Sequence, residues 1–353
     1  MASFDPDTVI TQIQVALAQD DIIQAIHILE SLRAPDQADV FNELDEQDQI
    51  ALLPQLDPST SADILEDLED EEAAELMRTI SSDTAIRILD EMEPDEAADL
   101  LGDISREQAE MILAGMENPE EVRPLLLHPD DSAGGLMTSE FLALRRRMTA
   151  TEALQAIRLW QPESENVQHL FVIDGLDSLV GMVSLRQLIV ADPQAILADI
   201  MNPDVVYVQA GTDQEECARL LSRYDLLALP VVDVANRLLG VVTVEDVVDV
   251  LVEEATEDIQ RLGGAEPLDR PYLDTGILII ARKRIGWLLL LFLTATLTGS
   301  VMRLFEAELQ AVVALAVFVP LLIGTGGNAG SQTTATVIRA SAIGDVDFGD
   351  ALR

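Results

Sequence analysis

The sequence is poor in the residues that build cross-links and many catalytic sites. Cys217 is the single cysteine among 353 residues, so no internal disulfide can form and a cysteine-based zinc site is excluded. Only three histidines are present, at scattered positions. There is no nucleophile elbow, and the one glycine-rich stretch lacks the Lys-Ser/Thr ending of a phosphate-binding loop. We therefore expect a protein that is not an enzyme.

Basic residues are also scarce. Residues 1–281 contain 59 acidic and 15 basic residues, whereas residues 282–353 contain 5 acidic and 6 basic ones. A strongly negative surface repels nucleic acid and concentrates cations, which makes metal ions or basic proteins the expected partners and excludes nucleic acid. Solubility, or a salt-rich habitat, is the alternative explanation. The N-terminus lacks a basic region followed by an apolar run, so no signal peptide is expected.

A twelve-residue repeat organises the N-terminal third. Its anchor positions are Leu44, Leu56, Leu68, Ile80, Met92, Ile104 and Met116. Eight and nine residues after each of the first six anchors lies an apolar pair, from Leu52 and Leu53 to Ile112 and Leu113. Residues typical of helix starts follow the anchors, as in Asp57-Pro58 and Glu93-Pro94. The pattern predicts one short helix per unit, stacked as an all-α solenoid. Prolines 119, 124 and 129 then indicate a linker.

A second duplication has α/β character. Leu170 to Asp174 is echoed by Leu229 to Asp233, and Gly181 to Ser184 by Gly240 to Thr243, both at an offset of 59 residues. β-branched runs alternate with helical stretches, which predicts two copies of a small strand-and-helix module.

Two apolar stretches near the C-terminal end are expected to be membrane helices. Ile285 to Met302 is 18 residues long, enough to cross a bilayer, and the basic residues 282–284 before it place the soluble part in the cytoplasm. The second stretch, Ala311 to Gln332, becomes rich in glycine, and we expect it to turn at Gly324 to Asn328 and to line an ion path. Close helix packing is the alternative. The expected pore-lining residues are Pro320, Gly324, Gly326, Gly327 and Asn328.

Acidic side chains cluster on the helix expected from Glu245 to Arg261. Asp246, Asp249 and Glu253 fall near one face, and Glu254, Glu257 and Asp258 on an adjoining one. Like charges at this spacing destabilise a helix unless a cation intervenes. Magnesium takes oxygen ligands and often contacts only one or two carboxylates. A solvated helix face is the alternative interpretation.

These features together resemble a known family. The segments IMNPDVVYV, LPVVD and GVVTVEDVVDVL are similar to tandem CBS domains, and their order after an acidic repeat and before PLLIGTGGNAGSQ resembles the MgtE family of magnesium channels and transporters. The resemblance implies a multidomain fold: an all-α helical-repeat N domain (1–130), an α/β tandem CBS pair (131–198 and 199–252), a connecting plug helix (253–281) and an α-helical transmembrane region with two spans (282–353). It also implies a homodimer in the cell (inner) membrane, with the N-terminal and CBS domains in the cytoplasm.

The resemblance also implies where regulatory Mg²⁺ would bind, with Mg²⁺ serving both as transported ion and as ligand. The positions that match are Asp63, Asp95, Asp213, Glu215, Asp225, Asp246, Asp249, Glu254, Glu257 and Asp258. Scarce Mg²⁺ would let these acidic surfaces repel and open the pore, and abundant Mg²⁺ would bridge them and close it.

ATP is a further ligand that CBS pairs often bind, through a Gly-x-x-Ser/Thr-x-x-Asp/Asn pattern. Gly240, Thr243 and Asp246 satisfy this nucleotide-binding pattern, but Gln187 replaces the acid in the first module and Leu226 stands where an aromatic residue could stack on adenine. Binding of ATP is therefore in question.

The chain carries only part of the family's membrane region. The resemblance implies five membrane helices, so the chain is expected to be a C-terminally truncated member. The rival hypothesis is a membrane-tethered sensor of Mg²⁺ or nucleotide that conducts nothing. Oxygen-rich sites alone do not separate magnesium from calcium or manganese.

Overall fold

The computed structural model describes residues 6–68, 70–160, 169–268 and 275–342. It divides into two compact units, residues 1–250 and residues 251–353, and each is described by itself. The first unit contains both the helical repeat and the two α/β modules, and the second contains the candidate membrane helices. The five-part division expected from the sequence remains a prediction.

Short helices fill the N-terminal part of the first unit, as the repeat predicts. Their bounds are α1 (Pro6–Ala18), α2 (Ile22–Leu29), α3 (Ala34–Asn42), α4 (Glu46–Leu52), α5 (Pro58–Glu66), α6 (Asp70–Thr79), α7 (Ser82–Leu89), α8 (Pro94–Asp103), α9 (Arg106–Leu113) and α10 (Pro119–Val122). Each helix from α3 to α8 packs on the second helix after it in the chain. The helices therefore alternate between two stacked rows.

The apolar positions of the repeat form the core between these rows. Every apolar pair, from Leu52 and Leu53 to Ile112 and Leu113, is buried, and so are six of the seven anchors. The seventh, Ile80, is half-buried and packs against the same core. Burial of this kind of side chain stabilises a fold by about 1.5–3 kcal/mol per residue. The spacing of apolar residues thus determines which face of each helix turns inward.

Capping residues mark the helix starts. The side chain of Ser81 accepts a hydrogen bond from the amide of Thr84, and that of Asp57 accepts one from the amide of Ser59. The side chain of Glu93 makes no such bond, although Pro94 occupies the first position of α8. The side chain of Glu93 is therefore not committed to helix capping.

The segment expected to be a linker is partly helical. Pro119 begins α10 instead of breaking a helix, and a 3₁₀ turn follows at residues 125–127. Val122 and Leu125 are buried in the core of the repeat. A proline at the first helical position loses no intrahelical hydrogen bond, so Pro119 can begin a helix in a segment whose prolines predict a linker.

Two α/β modules follow, with the same topology. The first comprises β1 (Ala143–Arg145), α11 (Ala150–Trp160), β2 (His169–Ile173), β3 (Leu179–Ser184), α12 (Leu185–Val190) and α13 (Leu197–Ile200). The second comprises β4 (Val208–Gln209), α14 (Gln214–Tyr224), β5 (Ala228–Val232), β6 (Leu238–Thr243) and α15 (Val244–Leu262). In each module the first two strands pair parallel and the last two antiparallel. The predicted duplication is confirmed at the level of strand order.

Each module is also joined to the segment that precedes the other. Thr138, ahead of the first module, pairs with Val241 in β6, and Asn202, ahead of the second, pairs with Met182 in β3. These crossings pass directly over two glycines. A Cβ on Gly240 would lie 2.6 Å from Met137 Cγ, and one on Gly181 would lie 2.6 Å from Met201 Sδ. Glycine is therefore required at both positions for the close approach of backbone.

Replacing Gly240 by alanine is expected to lower the free energy of unfolding by about 1–3 kcal/mol, because the added methyl group has no room. The Thr138 carbonyl oxygen would lie 2.8 Å from it, and a backbone atom cannot move aside as a flexible side chain can. The control is Gly211→Ala in the same module, where nothing lies within 4 Å of the added atom. Equal unfolding transitions for the two variants would contradict the close approach.

The second unit is dominated by long helices. The C-terminal half of α15 is followed by α16 (Ile277–Leu304), α17 (Glu306–Ala311) and α18 (Val313–Ala342). Among the described residues, α16 is the one helix long and apolar enough to cross a membrane, and no residue of its apolar window is buried. A second span is not confirmed.

The break expected in the glycine-rich stretch is absent, which corrects the prediction from the sequence. Helix α18 continues through Pro320 and through the glycines from Gly324 to Gly330. Glycine lowers helix stability without removing a backbone hydrogen bond, and an interior proline removes only one such bond. The segment therefore keeps its helical hydrogen bonds where the sequence suggested a turn at Gly324 to Asn328.

Candidate metal-binding face

A buried carboxylate lies at the start of α8. Asp95 is in the first turn of this helix and only 5% exposed, and its Oδ1 atom has no hydrogen-bond partner in the described part of the protein. Burial raises the pKa of Asp95 well above its ordinary value, and the negative charges of Asp246, Glu93 and Glu96 raise it further. A buried carboxylate oxygen without a partner is energetically costly, so this position would gain from a bound cation.

The second module places another carboxylate, Asp246, near this one. Asp246 is in the first turn of α15, where its Oδ2 accepts hydrogen bonds from Thr243 N at 3.0 Å and Thr243 Oγ1 at 2.7 Å. Burial raises the pKa of Asp246, although the two bonds from Thr243 act in the opposite direction. These bonds hold Asp246 in place, since a charged acceptor forms strong hydrogen bonds. An aspartate of the repeat and an aspartate of the second module are thus close enough for the charge of one to raise the pKa of the other.

Further acids surround this pair. The pKa of Glu93 is raised to about 7. Desolvation is the largest cause, and the negative charges of Glu66 and Asp246 are the next largest. Desolvation also raises the pKa of Glu96 to about 8, with Asp99 as the next cause. Glu93 and Glu96 keep exposed surface, so Asp95 is the member of the group most isolated from water. None of the ion pairs among described residues involves these acids. Within the described part of the chain, salt bridges therefore do not compensate the negative charge of these acids.

The crowding extends along α8 and to the neighbouring repeat. Desolvation raises the pKa of Asp99 to about 8, and the charges of Asp130 and Asp70 add to it. In the repeat, burial also raises the pKa of Asp67, and the negative charges of Asp63 and then Asp249 raise it further. We call these carboxylates the acidic face. It consists of Asp63, Glu66, Asp67, Asp70, Glu93, Asp95, Glu96, Asp99, Asp130, Asp246 and Asp249.

Four of the residues expected to bind Mg²⁺ lie on this face: Asp63, Asp95, Asp246 and Asp249. Glu93, Glu96 and Asp99 were missed by the sequence analysis. For Asp99, the available signal was the spacing of Asp95, Asp99 and Asp103, four residues apart on one helix. In the described residues no three acidic, histidine or cysteine side chains are close enough to hold one metal ion together. A hydrated Mg²⁺ that contacts one or two carboxylates fits this arrangement better than a closed protein cage does.

The structure gives three of the expected ligands other local surroundings. Asp213 caps α14 by accepting a hydrogen bond from Glu215 N at 3.0 Å, and it pairs with Ser132 in an isolated bridge. Asp225 ends the same helix with a φ of 51°, a left-handed conformation that aspartate tolerates better than most residues. These roles at the two ends of α14 do not test Mg²⁺ binding, so the assignment of Asp213, Glu215 and Asp225 as ligands remains a prediction.

The acids on the second half of α15 belong to the second unit. Glu257 forms an ion pair with Arg261, one helical turn further along. Glu254 and Asp258 lie on the same helix. Their assignment as ligands, like the pore-lining role of Pro320, Gly324, Gly326, Gly327 and Asn328, remains a prediction.

The nucleotide-binding pattern also has a structural explanation. Gly240 is where Met137 and Thr138 cross β6, and Thr243 with Asp246 forms the hydrogen-bonded start of α15. The first module repeats this arrangement. Gly181 lies under Met201, and Ser184 with Gln187 forms a capping box. The pattern can thus be kept for chain crossing and helix capping whether or not a nucleotide binds.

Comparisons with known families match two parts of the chain. The MgtE intracellular N domain matches residues 32–131, and the CBS domain matches residues 133–193 and 197–253. The magnesium transporter MgtE of Thermus thermophilus is 49% identical over 230 residues, which are 65% of this chain and 51% of the relative. The MgtE of Bacillus subtilis is 39% identical over 218 residues, or 62% of this chain and 48% of the relative. The chain thus spans about half the length of these curated relatives.

Solved structures agree in the same region. A crystal structure of the cytosolic domain of the Mg²⁺ channel MgtE in complex with ATP matches with a TM-score of 0.64 and 38% identity, covering 68% of this chain and 99% of that one. The soluble part of a magnesium transporter matches with a TM-score of 0.62 and 31% identity, covering 71% and 100%. The curated MgtE relatives are transporters, in agreement with the expectation that the protein is not an enzyme. The acidic repeat followed by paired CBS modules, together with these matches, makes the chain a member of the MgtE family.

Proposed function

We propose that the protein takes part in Mg²⁺ transport across the cell (inner) membrane and that cytosolic Mg²⁺ regulates it by binding to the acidic face. The MgtE relatives are magnesium transporters, which supports Mg²⁺ as the transported ion. The apolar helix α16, with Arg282, Lys283 and Arg284 in its first two turns, supports a membrane anchor whose basic end faces the cytoplasm. The repeat and the CBS modules would then be cytoplasmic.

The observation that carries the regulatory part is the buried Asp95 beside Asp246. When Mg²⁺ is scarce, the carboxylates of the acidic face repel one another and favour separation of the repeat from the second module. When Mg²⁺ is abundant, its charge offsets this repulsion and favours the closed arrangement. Carboxylate oxygens are the ligands that this hard cation prefers, so the residue types fit the ion.

Transmission to the pore would use α15 as the plug helix. Its first two turns carry Asp246 and Asp249, and three further acids proposed as ligands follow on the same helix: Glu254, Glu257 and Asp258. A homodimer would bring two such helices to one pore, and α18 would contribute Pro320, Gly324, Gly326, Gly327 and Asn328 to its wall. A ligand shifts such an equilibrium only by its differential affinity for the two states.

Neutralising the α15 acids tests this proposal. The triple variant Asp246→Asn, Asp249→Asn, Glu257→Gln is expected to need about tenfold more cytosolic Mg²⁺ for half-closure, because typical coupling between sites is 5- to 150-fold. The measurement is patch recording of the full-length protein. The control is Asp83→Asn, an exposed first-turn aspartate of α7 away from the acidic face. An unchanged closing concentration in the triple variant would refute the assignment.

The rival function is a membrane-tethered sensor that conducts nothing. One solved relative is a complex with ATP, which supports the version of this rival that senses a nucleotide. Mg²⁺ uptake by a strain that lacks its own magnesium transporters separates the two. Growth at low Mg²⁺ with the full-length gene supports transport, and failure to grow despite membrane expression supports the sensor.

A further inference from the structure

A glycine, Gly264, lies just after the end of α15. Two features require glycine there: its backbone conformation and its close contact with a tryptophan. Gly264 has a φ of +67°, and it ends the helix with bonds from Gly264 N to Arg261 O at 2.9 Å and from Ala265 N to Gln260 O at 3.1 Å. This is the Schellman pattern, which favours glycine at that position. A Cβ there would also lie 2.2 Å from Trp287 Cδ1. The indole of Trp287 therefore lies directly against the glycine backbone.

The segment after Gly264 is bonded to both helices. The amide of Leu268 donates to Gln260 Oε1 in α15 at 2.7 Å, and the amide of Glu266 donates to the Lys283 carbonyl in α16 at 3.2 Å. The Lys283 ammonium group donates to the carbonyl of Pro267. Lys283 and Trp287 are four residues apart, so they share one face of α16. Residues 264–268 are thus held between the end of α15 and the second and third turns of α16.

We propose that Gly264, Lys283 and Trp287 are positioning residues that clasp the end of α15 to the start of α16, so that a displacement of the proposed plug helix moves the proposed membrane helix. The inference rests on the proposed function, since it specifies how regulation would reach the membrane. A flexible connection would let α15 move without consequence for α16. The backbone and side-chain bonds, together with the indole contact, make the connection stiff, and coupling requires an element with discrete arrangements.

Two neighbouring glycines provide a matched test. Gly264→Ala introduces a methyl group into the indole and strains a positive φ, whereas Gly263→Ala meets no atom closer than the Gln260 carbonyl oxygen at 3.3 Å. In the full-length protein in liposomes, Gly264→Ala is expected to shift the Mg²⁺ concentration for half-closure by about tenfold, and Gly263→Ala to leave it unchanged. Trp287→Leu removes the indole without straining the backbone and should give the same shift as Gly264→Ala.

Fluorescence gives a readout that is independent of conduction. Trp160 and Trp287 are the two tryptophans among residues 1–353, so Trp287 becomes the single reporter when Trp160 and any tryptophan beyond residue 353 are replaced by Phe. Saturating Mg²⁺ is expected to change the emission and acrylamide quenching of Trp287, and Gly264→Ala to abolish that change. Hydrogen exchange of α8 should respond to Mg²⁺ equally in both proteins, because the acidic face is unaltered.

The outcomes separate the two proposals. Loss of the Trp287 response in Gly264→Ala with an intact Mg²⁺ response at α8 supports the clasp. Equal closing concentrations for Gly264→Ala, Gly263→Ala and Trp287→Leu, or an unchanged Trp287 response, would overturn it. If the wild-type protein does not conduct Mg²⁺, the proposed function fails, and the fluorescence result still decides the clasp.

Discussion

Replacing Asp95 by asparagine is expected to stabilise the Mg²⁺-free protein and to remove most of the stabilisation that Mg²⁺ confers. The first-turn position of Asp95 favours a negative charge, but by only about 0.3–1 kcal/mol. Burial and the charges of Asp246, Glu93 and Glu96 act in the other direction, and the raised pKa shows that they prevail. Asparagine keeps the size of the side chain and cannot ionise, so it carries no buried charge at any pH. The expected gain without metal is about 1–3 kcal/mol.

Mg²⁺ should offset the difference in stability between the wild-type protein and Asp95→Asn. A ligand at about 100 times its Kd stabilises the state that binds it by about 2.7 kcal/mol, and the variant is expected to lose most of this gain. Native-state hydrogen exchange of α8 with and without Mg²⁺ measures both effects. It is preferred to a single melting temperature because a protein of two units need not unfold in one step.

Asp83→Asn is the matched control for this experiment. Asp83 occupies the second helical position of α7, as Asp95 does in α8, but it is exposed. Its replacement should change neither the Mg²⁺-free stability of α8 nor the response to Mg²⁺. A destabilised Asp95→Asn protein that keeps the full Mg²⁺ response would show that the buried carboxylate serves the fold and binds no ion.

The Mg²⁺-free protein is expected to lose stability as the pH rises, because the folded state holds protons that the unfolded chain releases. Folding raises the pKa of Glu93 to about 7 and those of Glu96 and Asp99 to about 8, from ordinary values of 4.5 for glutamate and 3.8 for aspartate. Between about pH 4 and pH 8 the folded state therefore binds more protons than the unfolded state, and the free energy of unfolding falls with rising pH. The stabilisation is complete below the unfolded pKa values and is lost as the pH passes the folded ones.

The size of this effect is limited by solvent, since Glu93 and Glu96 are partly exposed. After that discount, a loss on the order of 2 kcal/mol is expected between about pH 5.5 and about pH 8.5. Hydrogen exchange of α8 in the presence of a chelator, corrected for intrinsic exchange rates, gives the slope. Mg²⁺ competes with protons for the same carboxylates, so its stabilising effect should be larger at the higher pH. A Mg²⁺-free stability that rises over this range would contradict the account.

The sequence predicts more of the fold than of the acidic face. The repeat was predictable because each apolar pair recurs at a fixed spacing and must be buried somewhere, and helices α4 to α9 follow that spacing. The paired modules were predictable because both copies carry the same strand patterns. Sequence spacing did not foresee that residues ahead of each module cross onto the other, as Thr138 does at Val241. Such a crossing depends on contacts between distant residues.

The candidate site shows the same division. Resemblance pointed to Asp63, Asp95, Asp246 and Asp249, which the structure brings to one face. It did not point to Glu93, Glu96 and Asp99, because the sequence is acidic throughout and charge alone does not distinguish a crowded carboxylate from a solvated one. Desolvation makes that distinction, and it depends on which helices pack together.

The sequence by itself determined the periodic core, the duplicated modules, the acidic field and the apolar length of α16, since each follows from the order of residue types along the chain. Only the tertiary structure decided which carboxylates lose contact with water, that α18 stays helical through its glycines, and that Gly264 lies against Trp287. Local patterns set the faces that must be buried, whereas pKa values and close contacts depend on what those faces meet.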